Sequence, residues 1–117
     1  MRNALLGCAA ACLIACGGGY PEPKEAQVST AAAVRSASEV GADRDPTATL
    51  QLKYAKDESE EAQQLISKGE NQHAEMMLAR ARADAELALM LARAHNEEVE
   101  AQKSEAEVVE KRRKLGK

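Results

Sequence analysis

The residues best suited to metal chemistry are the two histidines and the methionines near the first of them. His73 and His95 lie almost six helical turns apart, ~33 Å along one helix, so they cannot share a metal ion within one chain. His73 and Met77 are one turn apart with Met76 beside them, and imidazole and thioether ligands suit copper. Methionine on an apolar helix face is usually core packing. We therefore expect no metal or other cofactor and keep a copper site as the minor alternative.

The many carboxylates are the next candidates for chemistry. Acid–base catalysis needs two such groups in a pocket that shifts their pKa values. The acidic run of the second predicted helix lies largely outside its apolar stripe and is expected on a solvated face: Asp57, Glu58, Glu60 and Glu61. No nucleophile constellation and no glycine-rich phosphate loop accompanies these residues. The sequence therefore predicts no enzyme and no catalytic residue.

All three cysteines lie in the first sixteen residues, so the rest of the chain has no disulfide framework. A positive start at Arg2 precedes an apolar run, residues 4–14, that has the length of a signal-peptide core and is too short to span a bilayer. The residues before Cys16 then resemble a lipobox, the motif of bacterial lipoproteins: Leu13, Ile14 and Ala15. The residues before Cys8 also fit the motif, but the apolar stretch that precedes them is too short for a signal peptide. The residues before Cys12 lack the branched residue with which the motif begins. A signal peptide cleaved near Gly17 or a buried apolar helix are the alternatives.

This segment predicts a signal peptide over residues 1–15 and a lipid anchor at Cys16. The thiol would carry diacylglycerol and the freed amine another acyl chain such as palmitate, and two or more chains anchor a protein stably. Residues 16–23 are rich in glycine and proline, cannot continue a helix, and are expected to form a tether. Gly17 at the position after Cys16 resembles outer-membrane rather than inner-membrane lipoproteins. We expect the outer membrane facing the periplasm, with the inner membrane and cell surface as alternatives.

The composition of the remaining chain predicts an all-α fold, because alanine is abundant and Phe and Trp are absent. A first helix should begin at Lys24 and stop at Gly41, and a second should begin at Asp45-Pro46 and stop at Gly69. The third should run from about Glu70 to about Lys114. Short connections predict a small antiparallel helical hairpin or three-helix bundle, and the third helix is too long to be covered. We therefore expect a long projecting C-terminal helix.

Apolar and small residues recur at alternating steps of four and three, which places them on one face of each helix. The predicted seams are Ala26, Thr30, Ala33, Ala37 and Val40; Ala48, Leu52, Ala55, Ser59, Ala62 and Ile66; and Ala74, Leu78, Ala81, Ala85, Ala88 and Ala92. A second apolar flank is expected on the third helix from Met77, Leu87, Leu91 and Ala94. These patterns predict an alanine-rich helical domain over residues 24–95.

Residues 96–117 are predicted to be a solvated helical extension with a basic end. Its stripe is only weakly apolar, but it keeps heptad spacing, which predicts weak self-association as a coiled coil: Val99, Gln102, Ala106, Val109 and Arg113. Two i,i+4 pairs should support the helix, namely Glu107 with Lys111 and Glu110 with Lys114.

The basic end comprises Lys111, Arg112, Arg113, Lys114 and Lys117. Positive charges at the C-terminal end of a helix interact favourably with the negative end of the helix dipole, and they also aid solubility. The alternative is contact with an anionic partner such as peptidoglycan, lipopolysaccharide or a membrane surface. Lys117 also resembles the C-terminal lysine by which long-helix outer-membrane lipoproteins are joined to peptidoglycan. A net charge of only -3 gives no reason to expect a nucleic-acid partner.

Several short stretches together resemble a bacterial family called domain of unknown function 4398. The resemblance covers roughly residues 28–95. It is carried by residues 32–35, Gly41-Ala42, Asp45-Pro46, Leu52, Ala55, Ala62, Lys68-Gly69, Ala74 and residues 79–88. It implies a short, exported, helical protein, often a lipoprotein, with no assigned activity. The sequence thus predicts a non-enzymatic envelope lipoprotein that supports an assembly or engages an envelope partner.

Overall fold

Residues 19–116 are described by a computed structural model and form three α-helices, with no strand among them. The helices are α1 (Lys24–Val40), α2 (Pro46–Ser67) and α3 (Asn71–Leu115). The all-α prediction and its long third helix are confirmed. The predicted signal peptide, the predicted anchor site and the terminal lysine lie outside the described residues: Leu13, Ile14, Ala15, Cys16 and Lys117.

The helix boundaries follow from four residues that the sequence singles out. Gly41 ends α1 with φ +91°, and Gly69 follows α2 with φ +77°, both in the left-handed region that glycine adopts without steric cost. Asp45 caps α2, because its carboxylate accepts a hydrogen bond from the backbone N–H of Ala48 at 2.8 Å. Pro46 occupies the first position of α2, where no intrahelical donor is lost.

The first helix runs parallel to α3. Near the start of both helices, the Thr30 hydroxyl donates to the carbonyl of Leu78 at 3.0 Å. Near the end of α1, Nδ2 of Asn96 donates to the carbonyl of Val40 at 3.0 Å. The contacts at both ends of α1 therefore show that α1 and α3 run in the same direction.

The second helix runs antiparallel to α3, as the short connection predicts. Nε of Arg80 lies 2.7 Å from Oε1 of Glu58 in the middle of α2, and Nδ1 of His95 lies 3.9 Å from Oδ2 of Asp45 at its start. Contacts between α1 and α2 are few compared with those that each makes with α3. The long helix is therefore the central element of the body, with α1 and α2 on its two sides.

The core of this body consists almost entirely of alanine. Its buried members are Thr30, Ala37, Ala42, Ala48, Leu52, Ala55, Ala62, Ala74, Leu78, Ala81, Ala85, Ala88 and Ala92. Small side chains on facing seams let helix axes approach closely, so backbone and Cβ atoms supply much of the packing. All six predicted seam positions of α3 are buried, which confirms the helix periodicity.

The predicted second flank of α3 is only partly right. Met77 and Leu91 are half-buried, but Leu87 is 43% exposed and Ala94 is exposed. Leu89 packs against the core instead. The reason is the position of α1, which lies along the side of α3 that carries Leu89, whereas Leu87 and Ala94 point away from both neighbours.

Beyond Asn96 the long helix stands clear of the body, as predicted. Every residue from 97 to 116 is exposed except Val99 and Glu110, which are half-buried. The body ends where Asn96 reaches α1, and neither α1 nor α2 extends further along α3. Among the described residues, no helix combines the length and apolar character that crossing a bilayer requires.

Candidate functional site

The chain enters the body beside the first turn of α3. Nδ2 of Asn71 donates to the carbonyl of Tyr20 at 2.7 Å, and the Tyr20 hydroxyl donates to the Glu75 carboxylate. The hydrogen bond with Glu75 and the negative charge of that carboxylate raise the pKa of Tyr20. These contacts hold the segment preceding α1 at the end of the molecule that contains the α2–α3 turn.

The basic residues lie at the opposite end of α3. Arg113 and Lys114 both pair with Glu110, with N–O distances of 2.9 Å and 3.4 Å. Lys111 and Arg112 form no ion pair with any residue in the described range. Of the two predicted i,i+4 pairs, Glu110 with Lys114 is therefore confirmed, whereas Glu107 with Lys111 is wrong.

The distance between these two ends follows from the helix itself. About forty residues separate Asn71, next to the chain entry, from Lys111, which corresponds to ~60 Å at the rise of an α-helix. Lys111 and Arg112 are exposed cations at the C-terminal end of α3, where the backbone carbonyls favour positive charge. The arrangement can present free positive charge far from the start of the folded body.

A shallow groove of about 390 Å³ lies between α2 and α3 near their connecting turn. It brings together the three residues of the copper alternative with one carboxylate and is lined by Glu61, Leu65, His73, Met76, Met77 and Arg80. The His73 side chain is 71% exposed, and its Nδ1 lies 3.3 Å from Glu70 Oε2. Within residues 19–116, no three His, Cys, Asp or Glu side chains group as metal ligands. The groove therefore offers a histidine and two thioethers on an open surface.

A cluster that the sequence reasoning missed lies midway along the α2–α3 contact. The Glu58 side chain is only 12% exposed, and its Oε1 pairs with Arg80, whose side chain is 72% exposed. Its other oxygen, Oε2, is buried with no partner among the described residues. Desolvation raises the pKa of Glu58, the charge of Asp84 raises it further, and Arg80 opposes the shift. When Glu58 is protonated, it can donate a hydrogen bond to Asp84.

The expectation that all carboxylates of α2 lie on a solvated face is thus wrong for Glu58. A signal was present in the spacing, because Glu58 is three residues after Ala55 and four before Ala62, both of which are buried. Either Glu58 or Ser59 fits that step of the seam, and the structure half-buries both. The cluster consists of one desolvated acid with an arginine and a second carboxylate beside it.

The comparisons with known proteins add no relative to this description. No protein-family model matches the chain, and neither a curated protein nor a solved structure matches it. The resemblance to domain of unknown function 4398 therefore stays a prediction.

Proposed function

We propose that this chain is a non-enzymatic lipoprotein of the bacterial envelope, anchored at Cys16, whose helical body holds a basic tip away from the membrane. The partner of that tip in this proposal is an anionic envelope polymer, with peptidoglycan as the first candidate. The observation that carries the proposal is the placement of chain entry and basic end at opposite ends of α3.

The geometry supports a spacer in two ways. The tether joins the body at Tyr20, so an anchor at Cys16 would lie a few residues from the α2–α3 end. The extension is one continuous helix of about twenty residues, which adds ~30 Å beyond the body. Lys111 and Arg112 are free to attract a polyanion over a Debye length of about 8 Å at physiological salt.

The anchor is tested by the mass of the mature protein isolated from membranes. The proposal expects a chain that begins at Cys16 and carries diacylglycerol with or without an additional acyl chain. A mature chain that begins at Cys16 without lipid contradicts the anchor. A Cys16→Ala variant that is still acylated would place the anchor at another cysteine.

The tip is tested by cosedimentation with purified peptidoglycan at low and high salt. We expect salt-sensitive binding that falls in a Lys111→Gln/Arg112→Gln variant. The matched control is Lys56→Gln/Arg93→Gln, which removes the same two charges from exposed positions on the body. Equal binding by both double variants would reject the tip as the contact site.

Copper binding is the second candidate function, favoured by the groove that His73, Met76 and Met77 share. Thioether ligands select Cu(I), and imidazole also suits copper. The test is competition for Cu(I) with a coloured chelator. Met77→Leu should abolish the competition, whereas Met90→Leu, at an exposed methionine outside the groove, should leave it intact. No competition by the unmodified protein removes this candidate.

A further inference from the structure

The seam of α3 continues beyond the body without a partner among the described residues. The stripe that is buried against α1 and α2 keeps its four-three spacing through the extension as Val99, Gln102, Ala106, Val109 and Arg113. These positions are exposed except for the half-buried Val99, and Val109 is 65% exposed. Residues that keep heptad spacing over this length form a continuous face of the helix, and a second helix can pack against such a face in a coiled coil.

Charged residues lie on both sides of this seam, and on each side the positive and negative charges occupy different parts of the helix. The side of α3 that faces α2 in the body continues as Glu98, Glu105 and Arg112, at steps of seven. The side that faces α1 continues from Asn96 as Lys103 and Glu110. Each flank therefore changes sign along its length, which suits a partner running in the opposite direction.

We propose that two copies of this chain associate through their extensions, as an antiparallel pair of helices over residues 99–116. In the pairing that we infer, Ala106 of one copy packs against Val109 of the second copy. The two-fold symmetry repeats this layer on the other side of the centre. Gln102 then lies opposite Arg113 of the second copy in the adjacent layers.

The charges select this register. It places Glu105 opposite Arg112 of the second copy and Lys103 opposite Glu110 of the second copy, and symmetry makes each pair twice. All four flanking pairs are attractive, and such pairs between coiled-coil helices set partner choice and orientation. The intrahelical pairing of Glu110 with Lys114 and Arg113 is compatible with it, because one carboxylate accepts several donors.

The alternative pairings bring like charges together. A parallel pair places Arg113 against Arg113 of the second copy and Glu105 against Glu110 of the second copy, and only Glu98 with Lys103 remains attractive. An antiparallel pair shifted by seven residues toward the body places Glu105 against Glu105 and Lys103 against Lys103, keeps only Glu98 with Arg112 attractive, and carries the end of each helix opposite residues 92–95, which lie within the body. Like charges at these positions oppose association.

The length of the extension fits the same register. The second copy's helix would end with Gly116 opposite Val99, just before Asn96, where α3 enters its own body. Each exposed seam is therefore covered along its length, and neither body obstructs the other. Lys111 stays on the outer surface of the pair, whereas Arg112 faces Glu105 of the second copy and each tip lies beside the second copy's body. Pairing and contact of the tip with a polymer therefore exclude each other.

Sedimentation equilibrium of residues 19–117 tests the association, because all three helices and their mutual contacts lie within this segment. The interface is short, so we expect a dimer with a dissociation constant on the order of 100 µM. Glu105→Arg converts two attractive pairs to repulsive ones and should weaken association about tenfold or more. Adding Arg112→Glu to that variant exchanges the charges and should restore it.

The matched control is Glu107→Arg, which makes the same charge change on the outer side of the same helix. It should leave association unchanged. Only monomer at several hundred micromolar overturns the proposal, as does equal weakening by Glu105→Arg and Glu107→Arg. Circular dichroism of each variant checks that the helix content is retained.

Disulfide trapping tests the direction and register in this segment, which has no native cysteine. Ala106→Cys and Val109→Cys chains are mixed and oxidised at a concentration that favours the dimer. The proposed pairing expects mixed 106–109 disulfides to exceed those between two Ala106→Cys chains. The reverse preference means a parallel pair and overturns the antiparallel assignment.

Discussion

Replacing Glu58 by glutamine should raise the free energy of unfolding at neutral pH and change it little near pH 4. The pKa of Glu58 is raised in the folded chain by burial and by Asp84. The folded state therefore binds this proton more tightly than the unfolded state does. The resulting stability is present at low pH and is lost as pH rises from the unfolded pKa through the folded one. Glutamine mimics the protonated acid and removes that loss.

The expected gain at pH 7 is about 1 kcal/mol. Glutamine gives up the ion pair with Arg80, whose mostly exposed guanidinium makes that pair worth about 0–1 kcal/mol. In return, its amide donates to the Asp84 carboxylate, and a hydrogen bond to a charged group contributes about 1.5–3 kcal/mol. The gain corresponds to a rise in melting temperature of roughly 4–8 °C for a domain of this size.

The assay is urea unfolding followed by circular dichroism at pH 4, 5.5 and 7 for the parent chain and the variant. Glu60→Gln is the control, because it makes the same change at an exposed position of α2. The gap between Glu58→Gln and the parent chain should widen with pH, and the control should show no such trend. A variant that is less stable than the parent chain at pH 7, or a gap independent of pH, would refute the reasoning.

Three further predictions concern the packing of the body. Thr30→Val removes the interhelical hydrogen bond to Leu78 while keeping the shape of the side chain, and should cost about 1 kcal/mol in urea unfolding. Ala81→Leu overfills the alanine seam and should cost about 1–3 kcal/mol, whereas Ala101→Leu on the exposed extension should cost almost nothing. Deleting residues 97–116 should lower the melting temperature of the body only slightly, since none of them is buried; a large loss in a thermal scan would contradict that.

The helix boundaries could be predicted because they depend on local chemistry. Gly41 and Gly69 adopt backbone angles that other residues avoid, and the Asp45 side chain reaches a backbone N–H three residues ahead. The buried seam could also be predicted, because a repeat of four and three residues fixes one face of a helix regardless of its partner. The helix boundaries and the buried seam are thus each determined by residues that lie close together in the sequence.

The flanks of the seam could not be predicted, because they depend on where the other helices lie. The sequence of α3 alone does not indicate that α1 packs beside Leu89 and that Leu87 is left exposed to solvent. The burial of Glu58 has the same origin, since it requires α2 and α3 to meet with Arg80 and Asp84 beside it. The anchor residues lie outside the described range, so their part of the site remains a prediction from sequence.

The parallel arrangement of α1 and α3 has a mechanical consequence. A pull applied at Tyr20 and at the far end of α3 slides these two helices past each other along their common axis, because the ends being pulled lie at opposite ends of the pair. In this shear direction the seam contacts and the Thr30 hydrogen bond resist together, whereas a pull that peeled the helices apart would break them one at a time. The fold is thus oriented to sustain tension along its length.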